Sequence, residues 1–200
     1  MHDRVGTMIG FTYSHTHCYL LRSNDREKLL AFDAGWPCSL LEYARGVKAA
    51  GYRFDCIRWA IISHFHLDHA GLVRDFQDAG IQCLLFENQG DGIDGMERLI
   101  ARSHKDYRPI FRDRFLPLRT DESRAFLSSI GIAGEVIRTP GHSDDSVSLV
   151  TDAHEALIGD LYPLSQVMDD DEASLGSWAA IRALGARHIF PSHAEPFELA

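Results

Sequence analysis

Apolar residues along this chain fall in two registers, short runs bounded by polar turns and stripes at helical spacing, and the two alternate. Residues 16–22 and 29–33 are apolar runs and predict strands. Residues 39–50 place Leu40, Leu41, Ala44 and Val47 at helical spacing with Gly51 as a stop, which predicts a helix. Residues 57–63 read as a buried strand, 70–79 as a short helix and 81–86 as a further strand. From Met96 onward, Met96, Leu99, Ile100 and Ser103 mark one helical face, with Arg98, Arg102 and Lys105 on the other. Residues 121–130 predict a helix with Thr120 as its cap. Short strands follow at 135–138, 147–151 and 156–158, then a helix at 177–184 and a last strand at 188–190. Strands and helices interleave in two series that each begin with sheet. That order predicts an α/β fold in which two sheets pack face to face with helices outside.

The 200 residues suffice for one domain, 1–200, with a small cap at 91–120, and a chain of this size buries roughly 70% of its unfolded surface. A hydrophobic fraction of 45% with 24% charged residues excludes a disordered chain. The formal charge of −9 repels polyanions and argues against a nucleic-acid partner. Cys18, Cys38, Cys56 and Cys83 are widely spaced, as reduced thiols are, and form neither a zinc-finger nor a disulfide pattern. No secretory signal and no apolar run of membrane-spanning length is read, so the expectation is a soluble, cytoplasmic protein with no membrane partner.

Chemistry collects where the predicted strands end. Five of the eleven histidines lie there, and the densest group is Ser63, His64, Phe65, His66, Leu67, Asp68 and His69. His64 and His66 are two apart, so an extended backbone points both to one side. Asp68 and His69 come as the chain turns into a helix and can face a second point. Imidazole and carboxylate together suit a borderline divalent ion such as zinc. One string therefore offers ligands to two ions, and other strand ends supply more: His142 in the Thr-Pro-Gly-His-Ser turn, Asp160 after Gly159, and His193 after Pro191 and Ser192. A carboxylate at Asp160 is suited to bridge two cations.

With these residues in order along nearly its whole length, the chain resembles the metallo-β-lactamase superfamily of binuclear metallohydrolases. Phe32, Asp33, Ala34 and Gly35 match that family's early Asp motif. The resemblance implies a four-layer αββα sandwich and two divalent ions, zinc first, with iron or manganese as alternatives. It implies that His64, His66 and His142 hold the first ion, that Asp68, His69 and His193 hold the second, and that Asp160 bridges them. Asp33 would orient the site without binding metal.

The expected reaction is hydrolysis by a metal-bridging hydroxide, with Asp68 as a catalytic proton carrier. The absence of the family's nuclease insertion favours a small ester, thioester or lactone over a phosphodiester. The alternative class is a non-haem iron dioxygenase of the persulfide type. Tyr162 is expected either to donate a hydrogen bond to a developing oxyanion or to pack in its loop, and Trp36 either to wall the cleft or to fill the core. Residues 98–119 hold seven basic and two acidic side chains, a local +5 that leaves −14 for the remainder. They form either a solvated helical face or, through Arg108, Arg112 and Arg114, a cap that holds an anionic group of a small-molecule substrate. The acidic run at 169–172 reads as a solvated turn, and the role of His17 is open.

Overall fold

The computed structural model describes residues 8–24 and 27–199. Its first sheet has six strands in the order β1 (Met8–Tyr13), β2 (Thr16–Arg22), β3 (Leu29–Phe32), β4 (Ile57–Ile61), β5 (Gln82–Phe86) and β6 (Leu116–Leu118). The first three pair antiparallel and the rest parallel. The second sheet comprises β7 (Gly134–Arg138), β8 (Val147–Thr151), β9 (Glu155–Gly159), β10 (His188–Pro191) and β11 (Phe197–Glu198), ordered β11-β10-β9-β8-β7. Only β9 and β10 run parallel there.

Alternation along the strands divides the apolar residues between layers. Leu30 and Phe32 of β3 face Leu149 and Leu157 of the second sheet in a core between the sheets. Leu29 and Ala31 face the other way and pack with Val47, Phe76 and Ile100. Those three belong to α1 (Leu40–Ala49), α3 (Val73–Asp78) and α4 (Gly90–Ser103), which cover the first sheet. Val150, Ile158 and Ile189 pack on Trp178 and Ile181 of α6 (Glu172–Ala183) behind the second sheet. The four layers are the αββα sandwich expected.

Several element boundaries depart from the sequence pattern. β1 was not foreseen because the turn joining it to β2 uses Ser14 and His15 at φ +49° and +65°, without the Gly or Asn that signals such hairpins. β6 contains Pro117 and β11 has only two residues, so neither carries a strand pattern. The helix expected at 70–79 is two: α2 (Leu67–Ala70) and α3, broken at Gly71, whose α-carbon lies against Pro37 and leaves no room for a side chain. α4 starts at Gly90, six residues before Met96, its first turns hidden in the sequence by Gly90, Gly92 and Gly95. Thr120 is not a helix cap. It lies in a 3-10 turn (Thr120–Glu122) and gives its N–H and hydroxyl to Glu87 at 3.0 and 2.9 Å, and α5 (Ser123–Ser129) begins after it. α6 begins five residues early because Asp171, in the acidic run, accepts the Ser174 N–H at 3.0 Å as its cap.

Candidate metal centre

Four strand ends meet at one edge of the sandwich. β4 runs out into Ser63 and His64, and His66 is the extended residue at which α2 begins, so Asp68 and His69 occupy that helix's single turn. The turn after β7 presents His142, Gly159 closes β9 ahead of Asp160, and β10 leads into Ser192 and His193. Gly159 sits at φ +57°, and a β-carbon there would lie 2.7 Å from that of Ser63, so only glycine lets the two strand ends approach.

All seven expected ligands converge, in two groups: His64, His66 and His142 in one, and Asp68, His69, Asp160 and His193 in the other. One donor atom from each member lies within 4.8 Å of the others in its group. Nε2 of His142 is 3.0 Å from Nδ1 of His66. Nε2 of His193 is 2.8 Å from Oδ2 of Asp68. Asp160 addresses both groups: its Oδ2 is 3.6 Å from His142 Nε2 and 3.9 Å from His64 Nε2, and its Oδ1 is 3.2 Å from His69 Nε2.

The donor set fits divalent ions. Nε2 of His64, Nε2 of His69 and Oδ1 of Asp160 are buried and make no well-formed hydrogen bond, although the last two approach each other. Buried polar atoms are rarely left so, and here they aim at common points with imidazole nitrogen and carboxylate oxygen, the donors that suit zinc, iron or manganese. Burial and the neighbouring His69, His66 and His142 push the His64 pKa well down, which keeps its ring neutral with a free lone pair. Burial opposes ionisation of Asp68, but the hydrogen bond from His193 and the adjacent His69 ring outweigh it and hold the carboxyl below its usual range.

Asp33 lies at φ +72° and is fully buried, and it orients the site without reaching either group's centre. Its Oδ2 faces Nδ1 of His69 at 2.8 Å, and its Oδ1 accepts the Ser63 N–H at 2.7 Å. The Ser63 hydroxyl donates to Asp33 Oδ2 at 3.0 Å and stands 3.0 Å from Nδ1 of His64. One carboxylate thus fixes a ligand in each group, and Nε2 is left facing the site in both. His193 is fixed by another route, Nδ1–H donating to the His15 carbonyl at 3.0 Å. Asp145 holds the chain between His64 and His66 by accepting the Phe65 N–H at 2.7 Å. Sequence reading missed Ser63 as a relay and Asp145 altogether: nothing in a serine before a histidine, or an aspartate 80 residues away, announces such a contact.

Tyr162 stands at the mouth, 47% exposed, its ring edge-on to His142 with 5.6 Å between centroids. It lines a cavity of about 240 Å³ with His142, Asp160 and His193. Trp36 is tethered beside β2, its indole N–H donating to Thr16 at 3.0 Å. The three arginines are not brought to the ligands. Arg108 binds Asp75 and Asp78, Arg112 binds Asp94, and Arg114 lies 3.5 Å from Asp78 with its guanidinium over Phe111. His17 bonds Thr12 at 2.7 Å and is absent from both groups.

Solved structures share this architecture. The metallo-beta-lactamase family protein TTHA1429 of Thermus thermophilus superimposes with a TM-score of 0.70 at 20% identity, over 96% of this chain and 73% of that one. TTHA1623, in a di-iron-bound form, gives 0.69 at 20% identity over 95% and 93%. FIM-1 from Pseudomonas aeruginosa, in its mono-zinc form, gives 0.62 at 16% over 96% and 84%. A Caenorhabditis elegans protein, beta-lactamase-like protein 2 homolog, is 27% identical over 203 residues, covering 96% of this chain. The chain spans 61% of that relative's length. The sequence pattern of the metallo-beta-lactamase superfamily matches residues 12–193, from β1 to His193 at the candidate metal centre, and the chain belongs to that superfamily.

Proposed function

We propose that the protein is a metal-dependent hydrolase acting on a small ester, thioester or lactone, with two divalent ions, zinc first, held in the two groups. The observation that carries this reading is the position of Asp160, whose carboxylate faces both groups at once. Such ions, when bound, would bring the pKa of water down to about 7 and polarise a carbonyl oxygen.

In the proposed reaction the acyl C–O or C–S bond breaks, the oxygen of water joins the acyl carbon, and a proton passes to the leaving group. His64, His66 and His142 would hold one ion, Asp68, His69 and His193 the other, and Asp160 would reach both. Asp68 is the proton carrier, since its carboxylate stays ionised beside His193 and borders the open side of the site. Tyr162, exposed above His142, donates a hydrogen bond to the oxygen on which charge develops. The net charge of −9 supports a small-molecule substrate over a nucleic acid. The four free cysteines are compatible with a reducing compartment, and a cytoplasmic setting is part of the proposal.

A second reading, an iron-dependent dioxygenase of the persulfide type, draws on the di-iron form of the similarly folded TTHA1623. Elemental analysis of protein purified without added metal, followed by ester, thioester, lactone and phosphodiester assays on the same sample, separates them. Zinc with acyl-bond cleavage is the expected result. Iron with oxygen uptake on a persulfide overturns it, and cleavage of the phosphodiester alone moves the substrate class.

A further inference from the structure

Two cavities border the two metal-ligand groups. One is the Tyr162 cavity described above; the other, about 500 Å³, opens over α4 and has His66 and Asp68 in its wall. Its floor and remaining walls are Phe65, Leu67, Met96 and Leu99, with Gly92 and Gly95 between them. Positions 92, 95, 96 and 99 follow the i, i+3, i+4, i+7 spacing of a single helix face; Gly95 leaves an open trough on that face, while the absence of a side chain at Gly92 lets Asp145 and Phe65 close in on the helix. Leu99, also in the lining, is an apolar side chain left 51% exposed.

We infer that this trough receives the apolar acyl chain of the substrate, an inference that rests on the hydrolase reading and names the substrate class more narrowly. Because His66 and Asp68 belong to both the ligand groups and the cavity wall, a molecule reacting at the metals has one end at the trough's mouth, and the larger, apolar trough suits its acyl chain. No lysine or arginine lines it, and its charged members are the carboxylates Asp68 and Asp145, so an anionic tail is repelled and an uncharged hydrocarbon is accepted. The other cavity, about 240 Å³ and lined by Tyr162 and Gln166 together with Leu161, Pro163 and Pro191, is the smaller of the two and is left to the leaving group. From Gly92 to Leu99 the helix rises about 10 Å, room for a chain of about eight carbons.

Gly95 gives a clean test. A β-carbon there meets nothing within 4 Å, and leucine favours a helix more than glycine does, so Gly95→Leu fills the trough without straining the fold. Gly176→Leu, on α6 behind the second sheet and equally open, is the control. The zinc-loaded proteins are titrated calorimetrically with acetate, butanoate, hexanoate and octanoate, and assayed with p-nitrophenyl esters of the same chain lengths. Wild type and Gly176→Leu are expected to bind each longer acid about threefold more tightly per methylene. Gly95→Leu is expected to bind octanoate at least tenfold more weakly than wild type and to lose the matching preference in kcat/KM. Equal binding of acetate and octanoate by wild type overturns the trough, as does an unchanged preference in Gly95→Leu. Chain-length-dependent binding that Gly95→Leu abolishes, with no ester cleaved, supports the trough and removes the hydrolase reading instead.

Discussion

Oδ2 of Asp33 lies 2.8 Å from Nδ1 of His69, while the same atom accepts the hydroxyl of Ser63, which in turn stands 3.0 Å from Nδ1 of His64. A single buried carboxylate therefore sets the ring orientation of a ligand in each metal group. Outer partners of this kind change metal affinity by about 10–100-fold when removed.

Asp33→Asn keeps an oxygen for the Ser63 N–H but replaces the negative acceptor facing His69. It is expected to weaken the second group by about 10–100-fold, and the first group less, through Ser63. Ser63→Ala, by contrast, cuts the relay to His64 and leaves the Asp33–His69 bond in place. It should weaken the first group more than the second. Competition with a chromophoric chelator resolves the two binding steps, and equal losses at both groups in both variants would refute the relay.

Gly159 tests how closely the strand ends must approach. An alanine at its φ of +57° costs about 1–2 kcal/mol in backbone strain alone. Its β-carbon would also lie 2.7 Å from that of Ser63. Gly159→Ala is expected to lower Tm by at least about 4 °C and to displace Ser63 from Asp33. Calorimetric melting of the metal-free protein measures this without any contribution from bound ions, and an unchanged Tm would show that the contact is relaxed by small shifts.

How much of this was written in the sequence follows from the range of each interaction. The histidines of the first group were legible because local spacing places them: His64 and His66 share a side of an extended backbone, and the Gly-His turn fixes His142. Asp33 came from the family resemblance, since an aspartate before Ala-Gly says little alone. Contacts between distant segments were not legible, among them Asp145 on the Phe65 N–H and Ser192 at 3.5 Å from Asp33. The +5 charge of residues 98–119 showed where cations lie in the chain. It did not show that Asp75 and Asp78, about thirty positions from Arg108, would meet it.

Those ion pairs decide what the arginines do. With Arg108 on two carboxylates of α3 and Arg112 on Asp94 of α4, their guanidiniums are matched within the protein. Exposed pairs of this kind add little stability. Arg108→Ala, Arg112→Ala and Arg114→Ala are expected to leave Tm and the KM of an anionic ester within error of wild type. A several-fold rise in KM confined to anionic substrates would restore them to substrate binding.

Ligands that bind only the folded state raise its stability in proportion to the logarithm of their affinity, by about 4 kcal/mol when free ligand stands at 1,000 times Kd. For a chain of this size that is a rise in Tm on the order of 10 °C. Zinc added to chelator-treated protein is therefore expected to raise Tm by about that amount, and the variants should divide the effect. Asp68 belongs to one group, so Asp68→Asn should retain the share due to the first ion. Asp160 faces both groups, so Asp160→Asn should lose most of the rise. In the metal-free protein Asp160→Asn should not destabilise strongly, since Asp160 Oδ1 makes no well-formed hydrogen bond there, whereas Asp68→Asn gives up the charged bond with His193. An Asp160→Asn protein that zinc stabilises as fully as wild type would show that the two groups bind independently, with no bridging carboxylate between them.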